Sequence, residues 1–104
     1  MDEQEFLKLA DECLEHFASA LEEFDPDEVD FTSTDGVLTI EFADGARYVL
    51  NRQTAASQMW LAAGARAWHY NWSGENWIND RDGHELGACV SDSVSEKIGR
   101  RVEL

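Results

Sequence analysis

The sequence contains few of the residues that mark secreted, membrane-spanning or disulfide-stabilised proteins. Its only cysteines, Cys13 and Cys89, stand far apart, so we expect two reduced thiols packed in a small core rather than a disulfide framework. No apolar run approaches the roughly 18 residues of a membrane-spanning helix, which argues against a membrane protein. The chain begins with acidic residues, MDEQEF, where a signal or transit peptide would be basic. These features predict a cytoplasmic protein.

Basic residues are scarce as well. The chain has 8 lysines and arginines against 22 aspartates and glutamates, which gives a net charge of −14. Most of this excess lies in residues 1–30, which contain twelve carboxylates and a single basic residue, Lys8. Nucleic acids and anionic membranes are therefore poor partners, whereas cations and basic protein surfaces are favoured.

A hydrophobic pattern with helical spacing occupies the acidic first quarter of the chain. Apolar residues recur there at intervals of three and four, which predicts one amphipathic helix over residues 3–24. Pro26 cannot continue that helix, and Asp25 before it is biased toward extended geometry. The apolar positions of the stripe are Phe6, Leu9, Ala10, Cys13, Phe17, Ala20, Leu21 and Phe24.

The hydrophobic period then changes to two, which predicts strands. Asp35-Gly36 and Asp44-Gly45 mark tight hairpin turns between the first three strands, and Ser73-Gly74 precedes the last one. Short connections and alternating faces indicate an antiparallel meander with one buried face. The predicted strands lie near residues 29–32, 38–42, 48–51, 58–62, 68–72 and 77–79.

A second helix is predicted after the sheet, because apolar residues from Leu86 to Ile98 return to spacings of three and four. Gly99 is a suitable residue to end it. Two helices need an apolar surface to cover, and one face of the sheet supplies it. We therefore predict a single α+β domain over residues 1–104, a two-layer sandwich with both helices on one face of an antiparallel sheet of about six strands.

The carboxylates of the first helix have two interpretations, an ordinary solvated face or a face that binds cations. Their arrangement is unfavourable for an ordinary solvated face. Asp11 and Glu15 are like charges at i and i+4, without an evident compensating partner. Glu22, Glu23 and Asp25 crowd the C-terminal end of the helix, where the helix dipole disfavours anions. Repulsion of this kind indicates that a cation relieves it, and oxygen ligands favour hard cations such as iron, manganese, magnesium or calcium.

The stretch NRQTAASQMWLAA places amides around a large aromatic side chain. Strand alternation puts Gln58 and Trp60 on one face, and Met59 and Leu61 on the other. Two interpretations follow, with either Trp60 or Met59 in the core, and periodicity alone does not separate them. If Met59 is buried, Trp60 beside Asn51 and Gln58 has the character of a protein-binding hot spot.

Several motifs together resemble the frataxin family in its bacterial form. They are EFLKLADE in the acidic first helix, NRQ-x4-Q-x-WLA, WHYNW and GENWINDRDG, and they run in order from about residue 5 to residue 98. The resemblance implies a frataxin-like sandwich that binds iron (Fe²⁺ or Fe³⁺) weakly at its surface, with other divalent cations as alternatives. It also implies association with the cysteine desulfurase and scaffold of iron–sulfur cluster assembly, as iron donor or as regulator of the desulfurase. The protein would then be no enzyme itself, and a monomer without iron.

The resemblance also implies which residues act. The metal-binding positions form what we call the acidic ridge: Asp11, Glu12, Glu15, Glu22, Glu23, Asp25, Asp27 and Asp30. The partner-binding positions are Glu22, Glu23, Asn51, Arg52, Gln53, Gln58 and Trp60, with Trp60 exposed and the amides and Arg52 around it. Many bacterial members of the family carry a carboxylate pair late in the first helix, where this chain has Ala18 and Ser19. Mitochondrial frataxins carry an arginine on the fifth strand, where this chain has His69.

Two other function classes are alternatives. An iron-oxidising or iron-storing enzyme would need a buried metal centre with nitrogen ligands, and neither helix carries the Glu-x-x-His pair of a di-iron carboxylate site. An acidic adaptor or mimic protein, which binds a basic protein surface without a metal role, fits the charge. It leaves Trp60 and its amides without a role.

Overall fold

The computed structural model describes residues 1–104 as two helices and a six-stranded sheet, as the hydrophobic pattern predicts. The chain order is helix, six strands, helix, which confirms the α+β class. Neither helix combines the length and the apolar character that a membrane crossing requires. The elements are α1 (Glu3–Leu21), β1 (Val29–Thr34), β2 (Val37–Phe42), β3 (Arg47–Gln53), a short 3-10 turn (Thr54–Ala56), β4 (Gln58–Ala63), β5 (Arg66–Trp72), β6 (Trp77–Asn79) and α2 (Leu86–Ile98).

The sheet is a simple meander, in which each strand pairs antiparallel with the next one along the chain. The predicted Asp35-Gly36 turn joins β1 to β2, and both residues have positive φ, at 49° and 79°. Positive φ at both central residues is the geometry that matches the right-handed twist of a hairpin. Chain-neighbour pairing of this kind brings β3, β4 and β5 side by side in the middle of the sheet.

Both helices pack on one face of the sheet and enclose a single cluster of 17 buried side chains. Helix α1 contributes five of them, including Leu14, which the predicted stripe omits although it stands four residues after Ala10. The predicted end of α1 at residue 24 is also wrong. The helix stops at Leu21, and Phe24 lies in the turn that follows, partly buried against the core.

Helix α2 has defined caps at both ends, and the tail after it returns along the helix. The Glu85 carboxylate accepts hydrogen bonds from the amides of Gly87 and Ala88, and Gly99 ends the helix at a φ of 77°. Beyond it, the amide of Val102 donates to Ser95 Oγ and the amide of Leu104 to Ser91 Oγ. The terminal RRVEL segment is thereby held against the helical layer. Both cysteines are free and partly buried beside the core.

Candidate functional site

The outer face of the sheet, opposite the helices, carries a patch of amides around Trp60. Register places Trp60 between Asn51 on β3 and His69 on β5. The Trp60 indole N–H donates to Gln58 Oε1 at 2.9 Å, and the ring stacks on the His69 imidazole at a centroid distance of 4.2 Å. We call this surface the amide patch; it consists of Asn51, Gln53, Gln58, Trp60, His69 and Asn71.

The structure decides between the two interpretations of β4. Met59 is fully buried and Leu61 is 2% exposed, so Trp60 lies on the outer face. Trp60 is nevertheless half-buried rather than exposed, because His69 covers one side of its ring. An indole fixed by a hydrogen bond and a stacked neighbour loses little side-chain entropy when it binds a partner. His69 and Asn71 are the residues that the sequence interpretation omits, although alternation along WHYNW places them on this face.

Arg52 does not belong to the amide patch, contrary to the sequence interpretation. It lies opposite Met59 in the register, and paired residues share a face, so its side chain leaves the sheet on the helix side. There the guanidinium forms an ion pair with Asp11 on α1. The side chain passes the turn at Gly36, where an added Cβ would stand 2.6 Å from Arg52 Nε. Absence of a side chain at Gly36 therefore makes room for the Arg52–Asp11 pair.

All eight carboxylates of the acidic ridge are exposed, along α1, in the segment that follows it and at Asp30 in β1. The Arg52 pair corrects the expectation that Asp11 lacks a compensating partner. The other seven carboxylates form no ion pair with a basic side chain, although Asp25 and Asp30 each accept one backbone hydrogen bond. Nearby Glu28, outside the predicted set, is neutralised by Arg100, which lowers the pKa of that carboxyl. Most of the ridge thus keeps an uncompensated negative charge.

The ridge lacks a preformed chelating site, since no three His, Cys, Asp or Glu side chains are grouped so that they could hold one metal ion. Isolated carboxylates supply one or two oxygen ligands each, and water must complete the coordination shell. This donor set is compatible with weak surface binding of a hard cation, and it does not fit a tightly held centre. His16 on α1 is exposed and packs edge-to-face with the Phe17 ring.

A hydrogen-bonded chain that the sequence analysis misses lies at the other end of the sheet. The buried Tyr70 hydroxyl is 2.6 Å from His84 Nε2, and His84 Nδ1 is 2.5 Å from Asp82 Oδ1. The Asp82 carboxylate also accepts from the His84 amide, and these bonds lower its pKa. These hydrogen bonds connect the turn between β6 and α2 to Tyr70 on β5. No periodicity signals it, because Asp82 and His84 lie in a loop.

Comparison with known proteins gives consistent matches over almost the whole chain. Residues 1–100 match the family model of the frataxin-like domain. The iron–sulfur cluster assembly protein CyaY of Dechloromonas aromatica (strain RCB) is 39% identical over 105 residues, covering 100% of this chain and 99% of that protein.

Two solved structures extend the likeness to the fold. Frataxin from Psychromonas ingrahamii, of the CyaY protein family, superposes with a TM-score of 0.90 at 30% identity, covering 99% of this chain and 97% of that one. Trimeric frataxin from the yeast Saccharomyces cerevisiae, complexed with ferrous iron, gives a TM-score of 0.77 at 29% identity, covering 88% of this chain and 86% of that one.

Proposed function

Because this chain belongs to the frataxin family, we propose that it is an iron-binding protein of iron–sulfur cluster assembly that binds the cysteine desulfurase complex. It acts there as an iron donor, as a regulator of desulfurase rate, or as both. It has no turnover of its own, works in the cytoplasm and is a monomer without iron. The observation that carries the proposal is the joint presence of the acidic ridge and the amide patch on one small domain.

Iron is the cargo of the acidic ridge in this proposal. The ridge offers exposed oxygen ligands with little internal neutralisation, and a hard cation relieves the repulsion among them. Affinity is low because each carboxylate binds with water as co-ligand. The related yeast frataxin complexed with ferrous iron supports the choice of metal, although manganese, magnesium or calcium can occupy the same oxygen ligands.

The desulfurase and its scaffold bind through two surfaces with different roles. The ridge attracts a basic protein surface, and Glu22 and Glu23 are the acids that face it. Such charges act mainly on the rate of association. Trp60, Asn51, Gln53 and Gln58 supply a specific contact on the outer sheet face, which acts mainly on dissociation. Since iron and a basic surface compete for the same carboxylates, iron occupancy tunes the complex.

The experiment measures the binding of each variant to the desulfurase by surface plasmon resonance, with and without ferrous iron under anaerobic conditions. Trp60→Ala should accelerate dissociation, and Glu22→Lys with Glu23→Lys should slow association. Glu96→Lys, at an exposed position on α2 outside both surfaces, is the control. Normal binding by the Trp60 variant would reject the role of the amide patch, and normal binding by the charge-reversed variant would reject that of the ridge.

The same experiment separates the alternative of an acidic adaptor without a metal role. An adaptor binds the basic surface through the ridge, and micromolar ferrous iron leaves that binding unchanged. If iron is the cargo of the ridge, ferrous iron should weaken association, because it occupies the carboxylates that attract the basic surface. Binding that is insensitive to iron, combined with no detectable iron binding by calorimetry, would favour the adaptor.

A further inference from the structure

A third surface lies apart from the amide patch. It is a cleft of about 460 Å³ between α1, the turn from β5 to β6, and the start of α2. Its floor is apolar and includes Phe17, Trp77 and Leu86, all nearly buried, together with the half-buried Trp72. The volume lies within the roughly 300–1,000 Å³ of pockets that hold small ligands. The cleft is therefore large enough for a side chain of another molecule.

The rim of this cleft is acidic. Glu12, Glu75 and Glu85 line it, whereas no lysine or arginine does, and His16 is the only lining side chain that can become a cation. Glu12 and Glu75 are exposed and form none of the ion pairs of the protein. The Glu85 carboxylate is fixed by its two hydrogen bonds to the start of α2. Negative charge thus surrounds the mouth of an apolar cavity.

Cys13, which also lines the cleft, responds to this environment. Burial and the Glu85 carboxylate raise the pKa of its thiol from 9.0 to about 12. A negative charge is therefore strongly disfavoured inside the cleft. Burial disfavours a cation there as well, so it is the carboxylates of the rim that favour a positive charge at the mouth of the cleft. Trp72 adds a ring face on which a planar cation can stack.

We propose that this cleft binds an arginine side chain of a partner protein, with the guanidinium on Trp72 and paired with Glu12 and Glu75. Arginine fits better than lysine because its planar group stacks on aromatic rings, pairs with carboxylates in a fork, and is weakly hydrated. Its aliphatic stem matches the apolar floor. Glu12 belongs both to the cleft and to the acidic ridge, so the two surfaces are continuous and one partner can contact both. The choice of a protein partner rests on the proposed function; the preference for a guanidinium does not.

The test uses the chain alone, with N-acetyl-arginine amide as the probe. In ¹⁵N-labelled protein, the probe should shift the indole N–H resonance of Trp72 saturably, at millimolar concentration. N-acetyl-citrulline amide, the neutral isostere, should shift it little. Glu75→Gln should weaken binding about three- to fivefold, which corresponds to the upper end for an exposed ion pair. Glu41→Gln on β2 is the matched control, because it removes the same charge outside the cleft.

Three results would overturn the proposal. One is an equal loss of affinity for the probe in Glu75→Gln and Glu41→Gln, which would show that only the net charge of the protein matters. Another is a Trp72→Leu protein that folds normally and binds the probe unchanged. A third is a Trp72 shift caused by raising the protein concentration alone, which would make the cleft an interface between two copies of this chain.

The outcome is independent of the proposed function. Failure of the probe to bind leaves desulfurase binding through the ridge untouched, and a chain that does not bind the desulfurase can still bind the probe. If both hold, Glu75→Gln should weaken desulfurase binding about three- to fivefold. It should not change ferrous iron affinity, because Glu75 is outside the ridge.

Discussion

Replacement of Gly36 by alanine tests how the amide-bearing strand and the acidic helix are connected. Gly36 has a φ of 79°, where an L-residue with a side chain pays about 1–2 kcal/mol. Its new Cβ would also stand 2.6 Å from Arg52 Nε and 2.9 Å from Arg52 Cζ. Arg52 must therefore move, and its ion pair with Asp11 is lost, at a further cost of about 0.2–1 kcal/mol for a pair of this exposure.

Gly99→Ala supplies the matched control for backbone strain. Gly99 has nearly the same φ, at 77°, but an added Cβ there meets nothing within 4 Å. Urea denaturation should show about 1–2 kcal/mol lost for Gly99→Ala and up to about 1 kcal/mol more for Gly36→Ala. In a domain of this size, the extra loss lowers Tm by up to roughly 4–8 °C.

The same substitution has a functional consequence, because it frees the Asp11 carboxylate from its ion pair without changing the net charge. We expect ferrous iron affinity, measured by anaerobic calorimetry, to increase up to about fivefold in Gly36→Ala and in Arg52→Gln. Gly99→Ala should leave it unchanged. Equal stability losses in the two glycine variants, together with unchanged iron affinity in Gly36→Ala, would refute the assignment of Arg52 as the counter-ion of Asp11.

Three further substitutions or treatments probe the scaffold. Tyr70→Phe removes a buried hydroxyl that is 2.6 Å from His84 Nε2, and should cost about 1–3 kcal/mol in urea denaturation; a cost near zero would contradict that hydrogen bond. Burial raises the pKa of the Cys13 thiol to about 12. Cys13 should therefore react with iodoacetamide at pH 8 far more slowly in the folded protein than in urea, and equal rates would contradict its burial. The Lys97 ammonium lowers the pKa of Asp44 below its ordinary 3.8, so this carboxylate stabilises the fold above pH 3.8 and loses that effect as the pH falls through the folded-state pKa. The stability difference between wild type and Asp44→Asn should therefore shrink in acid, and a difference independent of pH would argue against the pair.

Local hydrophobic periodicity predicts much of the architecture. The change from spacings of three and four to a period of two predicts the order of helices and strands, and Asp-Gly pairs predict the first two turns. The predicted end of α1 is less accurate. Phe24 continues the apolar spacing beyond the helix, but it packs on the core from the turn that follows. Side-chain burial there does not require helical backbone.

The surfaces were harder to predict than the fold. Asn51, Arg52 and Gln53 are adjacent in sequence, and the sequence interpretation places them together around Trp60. In a strand, however, successive side chains point to opposite faces, so Arg52 lies on the helix side. Asn51 and Gln53 lie on the outer face, in the amide patch. Alternation from the buried Leu50 already contains this information, and grouping by chain proximity obscured it.

The sequence by itself determined the order of elements, the concentration of negative charge in residues 1–30 and the pairing of Gln58 with Trp60 on one face. Each of these depends on residues close together in the chain. Only the tertiary structure decided which face of β4 is buried, since α1 and α2 cover the Met59 side. It alone brought Arg52 to Asp11, 41 residues away, through the gap beside Gly36. Such contacts depend on how whole helices pack on the sheet, which no local pattern specifies.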